Sequence, residues 1–177
     1  MTELSDTKSR IEQGRQHPRR LLVPVSATER SQWPLRYALA RRREVDHVDL
    51  LTVAEPITNP QLLRFRTQAE LAELQSVAAR WLLEHASKQL EDAGLRVACH
   101  FREGEIIAEI LDAAEQLGCD AIVLPAPRPF WVDAFRNGIV RKLMRRPRAT
   151  AVILVNRKGM PIAAERSVAA ERPEWSR

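Results

Sequence analysis

Three short apolar runs constrain the fold of this chain more than any other feature of its sequence. They are L-L-V-P-V (21–25), A-I-V-L-P (121–125) and A-V-I-L-V (151–155), and each is rich in β-branched residues. Their apolar residues hardly alternate with polar ones, which is typical of strands that are buried on both faces. Such strands occur in parallel sheets covered by helices on each side. The sequence therefore predicts a parallel sheet at the centre of the molecule.

Helical periodicity fills the intervals between these strands. Apolar residues recur at helical spacing over 33–43, 67–93, 105–117 and 137–146, and two further strands are predicted at 47–53 and 95–101. Because strands and helices alternate along the chain, we predict a single doubly wound α/β domain over residues 18–156. It would contain a five-stranded parallel sheet with helices on both faces.

The longest predicted helix, 67–93, is expected to bury one apolar face and to end at Gly94. That face would carry the residues at helical spacing, which are Leu71, Leu74, Ala78, Leu82, Ala86 and Leu90. Trp81 on the same helix is interpreted as a packing residue.

The residues outside this domain are predicted to be tails. Residues 1–17 are polar with little periodicity and are expected to be disordered, and 157–177 is a C-terminal tail that can form a short helix. No apolar run is long enough to span a membrane, and the N-terminus lacks the hydrophobic segment of a secretory signal. Together with only two cysteines, this predicts a cytoplasmic protein without a membrane partner.

The net charge of +5 is spread over separate basic runs at 19–20, 41–43 and 141–148. No aromatic residues interleave these runs in the manner of a base-stacking surface. Solvated helix faces and helix ends explain such runs, so nucleic acid is not predicted as a partner.

Ligands of doubly wound sheets bind at the carboxyl ends of the strands, where the strand order reverses. The first strand is central in such sheets, so the candidate ligand loops follow the first and the fourth strands. The first loop begins S-A-T (26–28), and the second lies in L-P-A-P-R-P-F-W-V-D-A-F-R-N-G-I-V (124–140). A phosphate loop needs glycines, but this second loop begins with three prolines and an arginine.

The order of these segments resembles the universal stress protein family. L-L-V-P-V-S-A-T-E-R-S (21–31) resembles the family's opening strand and turn, and G-L-R-V-A-C-H-F-R-E-G-E-I-I-A-E-I-L (94–111) its third strand, V-x-x-G turn and third helix. R-K-L-M-R-R-P-R-A-T-A-V-I-L-V (141–155) resembles its final helix and strand. The resemblance covers residues 19–155, and it implies a sheet of order 3-2-1-4-5 and a homodimer whose last strands pair across a two-fold axis.

The ATP-binding branch of this family carries G-x2-G-x9-G-[ST] after its fourth strand, which lets backbone N–H groups approach the phosphates. On this sequence, the three glycines and the hydroxyl residue fall at Pro125, Arg128, Gly138 and Ile139. Pro125 has no N–H to donate and Ile139 has no hydroxyl, so only Gly138 matches. The resemblance therefore implies a degenerate nucleotide site and no ATP cofactor.

Residues of the first strand and its turn belong to the same degenerate site. Pro24 matches the family, whereas Ser26 stands where the ATP-binding branch has an acidic residue that contacts the nucleoside. Four basic residues lie near the second loop, and they either hold a smaller anion or face solvent: Arg128, Arg136, Arg141 and Lys142.

The second loop also concentrates aromatic residues, namely Phe130, Trp131 and Phe135. They either cover the cavity that a missing nucleotide leaves or form an exposed anchor for a partner protein. In the second interpretation, Arg128 and Arg136 would join Phe130 and Trp131 in contacting that partner.

Catalytic and metal-binding patterns are not found. The four histidines are scattered, and no Cys/His spacing suits a metal. Cys99 and His100 are neighbours on a predicted strand, so their side chains would face opposite ways. Ser26, Thr28 and Ser31 lack a nucleophile elbow, and neither a metal site nor catalytic residues are predicted.

The last predicted strand would lie at the edge of the sheet, and a five-residue apolar edge is an aggregation liability unless it is paired. Val152, Ile153 and Leu154 are therefore predicted to pair with a second copy. Our first hypothesis is a non-enzymatic regulatory or interaction module of the stress response, homodimeric and without ATP. The alternatives are a regulator that holds ATP or AMP by an altered loop and, less favoured, a small hydrolase that uses the same crevice.

Overall fold

The computed structural model of the 177-residue chain describes residues 19–57, 67–126 and 150–165, with the backbone alone for 163–165. These residues form a six-stranded sheet of order β3-β2-β1-β4-β5-β6. Its strands are β1 (Arg20–Pro24), β2 (His47–Ala54), β3 (Arg96–Glu103), β4 (Ala121–Pro125), β5 (Ala151–Val155) and β6 (Pro161–Glu165). Neighbouring strands from β3 to β5 are parallel, whereas β6 runs antiparallel to β5. The predicted doubly wound α/β fold and the order 3-2-1-4-5 are confirmed.

Three helices are described, and they agree closely with the predicted ranges. They are α1 (Gln32–Ala40), which follows a 3-10 turn (Glu29–Ser31), α2 (Gln68–Glu91) and α3 (Ile106–Gln116). Thr67 starts α2 with a capping box, in which its hydroxyl accepts from the Glu70 N–H while the Glu70 carboxylate accepts from the Thr67 N–H. Glycines with positive φ follow α2 and α3, at Gly94 (85°) and Gly118 (63°). The predicted helix 137–146 lies outside the described residues.

Two apolar layers cover the faces of the sheet. On one face, α1 and α2 pack over residues such as Leu21, Val23 and Leu50. On the other face, α3 packs over residues such as Leu22 and Ile122. Because adjacent residues of a strand point to opposite faces, both must be apolar here, which explains the absence of alternation in the sequence.

The predicted inner face of α2 is correct at Ala86 and Leu90, which are buried, and wrong at Leu74 and Ala78, which are exposed. The buried residues of this helix are Ala79, Leu83, Ala86 and Leu90. Leu74 and Trp81, which were expected to pack inside, are 55% and 65% exposed. Apolar residues occur all around this helix, so periodicity alone does not identify the side that meets the sheet.

The sixth strand was not predicted. The sequence analysis expected five strands with β5 at the edge and a tail from residue 157, but β6 pairs along β5 from Val152 to Val155. The sheet therefore continues past the predicted boundary at residue 156, and β5 is an inner strand. The first residue of β6 is Pro161. Because proline lacks the N–H that a strand ladder uses, the sequence does not clearly indicate a strand here.

A tight turn joins β5 to β6 and rests on α1. The Asn156 side-chain oxygen accepts hydrogen bonds from the N–H groups of Lys158 and Met160, at 2.9 and 3.1 Å. Gly159 has a φ of 74° and is buried against Arg36 and Tyr37. This close approach orients β6 along β5.

Candidate ligand site at the carboxyl ends of the strands

The switch point of the sheet lies where β1 and β4 end side by side. The chain leaves β1 towards α1 on one face, and α3, which precedes β4, covers the other face. Pro24 and Pro125 are the last residues of the two strands. In doubly wound folds this is the position at which a ligand meets backbone donors, so the amides nearby determine what can bind.

In the loop after β1, several polar groups already have hydrogen-bond partners within the protein. The Val25 N–H donates to the Leu51 carbonyl at 2.8 Å, and the Ser26 N–H donates to the Ser31 hydroxyl at 2.8 Å. The Ser26 hydroxyl lies 3.1 Å from that of Thr28 and 2.9 Å from that of Ser31. These four contacts occupy the amides of Val25 and Ser26 and the hydroxyls of Ser26, Thr28 and Ser31, and Ser31 is buried.

The start of the loop after β4 has its backbone donors occupied as well. Pro125 has no N–H, and the Ala126 N–H donates to the Val155 carbonyl of β5 at 2.7 Å. Ala126 is 7% exposed, so this hydrogen bond is shielded from water. The first two positions after the apolar core of β4 therefore offer no free amide to a phosphate.

The comparison with known families decides the identity of this fold. A model of the universal stress protein family matches residues 17–153, which is most of the chain.

The chain belongs to the universal stress protein family.

Solved structures show the same fold at low sequence identity. The hypothetical protein MJ0577 is 22% identical with a TM-score of 0.63, and the match covers 80% of this chain and 98% of that one. A universal stress protein family member from Burkholderia pseudomallei is 17% identical with a TM-score of 0.60, covering 77% and 95%. A family member from Arabidopsis thaliana with AMP bound is 16% identical with a TM-score of 0.53, covering 78% and 92%. A search among curated proteins found no match.

Most of the predicted loop residues lie outside the described part of this universal stress protein. This holds for Arg128, Phe130, Trp131, Arg136, Gly138 and Ile139. Pro24 ends β1, Ser26 follows it by two residues, and Pro125 ends the neighbouring strand β4, so these three residues lie at the carboxyl ends of the two strands.

The predicted dimer strand is not a free edge. Val152 and Ile153 are 7% and 6% exposed, and β5 is paired with β4 on one side and with β6 on the other. Leu154 is half-buried and faces Ala163 of β6 in the register. The edge assignment is therefore wrong, because β6 of the same chain occupies the position assigned to a second copy.

A small cleft lies at the carboxyl ends of β2 and β3, beside the start of α2. Its volume is about 140 Å³, and its lining includes Ala54, Ile57, Leu71 and Glu103. This is less than the roughly 300 Å³ at which ligand pockets begin. The cleft by itself therefore does not suit a nucleotide.

A buried polar cluster lies on the α3 face near the amino end of β2, and the sequence analysis missed it. Asp49 is fully buried, and its carboxylate accepts from Arg20 Nε at 2.7 Å and from Arg20 Nη2 at 3.1 Å. His100 Nε2 is 2.9 Å from the same carboxylate, and His47 Nε2 is 3.4 Å away but is not aligned for a hydrogen bond. The available signal was an aspartate inside the run H-V-D-L-L-T-V.

The charges of this cluster stabilise one another. Burial raises the pKa of Asp49, but the hydrogen bonds from Arg20 and His100 outweigh it, so the pKa stays below its ordinary value. The hydrogen bond to Asp49 raises the pKa of Arg20. Asp49 is thus an ionised carboxylate that orients its neighbours, and it lies at the opposite end of the strands from the ligand loops.

Cys119 completes the cluster without becoming reactive. Its Sγ lies 3.6 Å from Asp49 Oδ2, and burial together with that carboxylate raises the pKa of the thiol to about 12. A thiol with such a pKa is protonated at neutral pH and is a poor nucleophile.

The predicted separation of Cys99 and His100 is confirmed. Cys99 Sγ contacts the Leu83 carbonyl of α2, whereas His100 points to Asp49 on the other face. Across the described ranges, no group of three or more His, Cys, Asp or Glu side chains is arranged to hold a metal ion. None of the described helices combines the length and hydrophobicity that crossing a membrane requires.

Proposed function

We propose that this universal stress protein is a non-enzymatic regulatory or interaction module of the cytoplasmic stress response, which acts as a homodimer without binding ATP. The observation that carries this proposal is the occupation of the backbone donors at the switch point. Pro24 and Pro125 have no N–H, and the amides of Ser26 and Ala126 already donate within the protein.

Opening these sites for a phosphate would cost existing hydrogen bonds. Each bond contributes about 0.5–1.5 kcal/mol, and a donor or acceptor left buried without a partner costs about 1–3 kcal/mol. The Ala126 bond also belongs to the ladder that continues β4 along β5. A phosphate at this position would therefore have to compete with the sheet itself.

The position that would contact the nucleoside also differs from the ATP-binding pattern. The resemblance implies an acidic residue where Ser26 stands, and the Ser26 hydroxyl is occupied by Thr28 and Ser31. Both hydrogen bonds of the Ser26 hydroxyl are to other hydroxyls, and neither involves a histidine or a carboxylate that could act as a base. This supports a module without hydrolase activity.

A second candidate is a regulator that binds AMP or ATP by an altered loop. Two observations favour it: a structural neighbour from Arabidopsis thaliana has AMP bound, and three hydroxyl groups cluster at the switch point here. In this alternative the hydroxyls of Ser26, Thr28 and Ser31 would turn from one another towards the ligand.

Calorimetric titration of the full-length protein with ATP and with AMP, each with magnesium, distinguishes the two candidates. We expect no saturable heat at nucleotide concentrations up to about 1 mM. A Kd of 1 mM corresponds to a binding free energy of about −4 kcal/mol. A thermal shift under the same conditions is expected to stay flat, whereas a ligand at 100 times its Kd would stabilise the fold by about 2.7 kcal/mol.

The double variant Ser26→Asp, Pro125→Gly is the matched comparison, because it restores the acidic residue and the first glycine of the ATP-binding pattern. A universal stress protein that binds ATP serves as positive control for the assay. Saturable binding of ATP or AMP to the wild-type protein contradicts our proposal and supports the second candidate.

A further inference from the structure

The cleft at the carboxyl ends of β2 and β3 has no part in the proposed function, and three segments of the chain form its walls. The end of β2 and the residues after it contribute Ala54 and Ile57, the first turns of α2 contribute Leu71 and Ala72, and the end of β3 contributes Glu103. Four of these side chains are apolar, and Glu103 adds a carboxylate. A mostly apolar lining with a few polar groups is typical of sites for small ligands.

The volume of the cleft limits the size of a ligand. At about 140 Å³, it is close to an engineered protein cavity of about 150 Å³ that binds benzene. A ligand of about five to eight non-hydrogen atoms fits such a space. The cleft is therefore too small for a nucleotide but large enough for a short aliphatic chain with one polar head.

The charge of the cleft is negative, although the net charge of the chain is +5. Within the described residues, no hydrogen bond or ion pair joins the Glu103 side chain to another residue. Its neighbour Arg102 does not neutralise it, because adjacent residues of a strand face opposite ways and Arg102 donates to Glu109 and Gln116 of α3. A carboxylate beside an apolar wall favours a cation that carries a short apolar chain.

The start of α2 borders the cleft, and the amino end of a helix carries a partial positive charge. The Glu70 carboxylate already lies at this end, where it accepts from the Thr67 N–H at 2.8 Å. Gln75, which also lines the cleft, donates its side-chain N–H to the Glu55 carbonyl at 3.1 Å. These donors are engaged within the protein, so Glu103 supplies the charged group that a ligand meets.

We propose that this cleft binds a small organic cation, namely a primary ammonium or guanidinium on a short aliphatic chain. The chain lies against the half-buried side chains of Ile57 and Leu71, and the cationic head pairs with the Glu103 carboxylate. The site is separate from the nucleotide loops, which follow β1 and β4. This inference goes beyond the proposed function, because it gives the interaction module a ligand of its own.

NMR titration of the full-length protein with n-butylammonium chloride tests the proposal. We expect saturable shifts of the backbone amides of Ala72, Gln75 and Glu103, with a Kd in the low-millimolar range because the ligand is small. n-Butanol has the same number of non-hydrogen atoms without the charge, so it is the matched control ligand. Its Kd is expected to be about fivefold higher, since the ion pair is exposed to solvent.

Three variants locate the ligand and its charged partner. Glu103→Gln keeps the shape of the side chain but removes the charge, and it is expected to weaken n-butylammonium binding about fivefold without affecting n-butanol. Glu73→Gln is the matched control, because Glu73 is exposed on α2 outside the lining, and it is expected to change neither affinity. Ala72→Leu fills the cleft and is expected to abolish binding of both ligands. Dispersed amide spectra show that the variants are folded.

Any of three results would overturn the proposal. The first is the absence of saturable shifts with n-butylammonium up to about 50 mM, well above the Kd expected for a ligand of this size. The second is an unchanged affinity in Glu103→Gln, or equal affinities for n-butylammonium and n-butanol. The third is unchanged binding in Ala72→Leu, which would place the ligand elsewhere. The titration involves no nucleotide, so it can fail while the calorimetric result stands, and the reverse.

Discussion

At the scale of single residues, Asp49 shows how this fold accommodates a charge in its core. The carboxylate is fully buried, and Arg20, whose side chain is 38% exposed, brings the compensating charge from the neighbouring strand. The guanidinium reaches the carboxylate through two hydrogen bonds, a geometry that lysine does not provide. Breaking such a pair by removing one partner is costly because the other charge stays behind.

We expect Asp49→Asn to lower the free energy of unfolding by about 2–3 kcal/mol at pH 7, because Arg20 and His100 lose their ionised partner. The folded pKa of Asp49 lies below its unfolded value of about 3.9, so its contribution is complete above that value and is lost as the pH falls through the folded pKa. The difference between variant and wild type should therefore shrink below pH 4.

Urea unfolding at pH 7 and at pH 3 measures this effect. Asp46→Asn is the matched control, since its carboxylate is 55% exposed and its nearest ion-pair distance, to Arg19, is 3.9 Å. We expect it to change the stability by less than about 0.5 kcal/mol. A constant difference between Asp49→Asn and wild type at both pH values would contradict the assigned charge state.

At the scale of elements, the turn between β5 and β6 determines what the edge of the sheet becomes. Gly159 lies so close to α1 that an added Cβ would come within 2.8 Å of Arg36 Cβ and of the Tyr37 amide nitrogen. The Arg36 guanidinium donates to the Arg157 carbonyl at 2.7 Å, and Arg157 pairs with Glu29 at 3.1 Å. The hairpin is thus held by backbone approach and by two contacts at the surface.

Gly159→Ala is expected to lower the free energy of unfolding by about 3 kcal/mol, through positive φ and the clash with backbone. Gly94→Ala is the matched control, because Gly94 also has a positive φ, of 85°, but nothing lies within 4 Å of an added Cβ. Its cost is expected to be about 1–2 kcal/mol. Equal losses for both variants in urea unfolding would show that β6 does not depend on this packing.

At the scale of the whole molecule, β5, which was predicted to contact a second copy, lies inside the sheet because β6 pairs with it. Val152 faces the apolar layer under α3, and Ile153 faces the layer under α1 and α2. A charge on this strand therefore acts on folding before it can act on assembly.

We expect Val152→Lys to lower the free energy of unfolding by about 3–5 kcal/mol, because it buries an unpaired ammonium and removes an apolar contact. Ile162→Lys introduces the same charge on a side chain that is 57% exposed, and it should cost less than about 1 kcal/mol. Chemical denaturation with sedimentation velocity checks both. A folded, fully stable Val152→Lys would show that β5 is accessible in solution.

The features of the fold that could be predicted from the sequence are those that depend on residues close together in the chain. Strands such as β1 and β4, and the helix ends at Thr67 and Gly118, depend on local preferences and on burial of both faces, so the residues themselves determine them. The absence of a backbone donor at Pro125 is also local, because proline lacks an N–H in any fold.

Only the tertiary structure decided the remaining features. The buried side of α2 depends on how the helix rotates against the sheet, and this left Trp81 outside. The strand β6 exists because the hairpin reaches back to β5 and α1, and the partners of Asp49 come from three other segments of the chain. Such features arise from contacts between distant residues. The sequence by itself determined the fold class and the missing backbone donor at Pro125, whereas three-dimensional packing determined which apolar side chains of the described residues remain exposed.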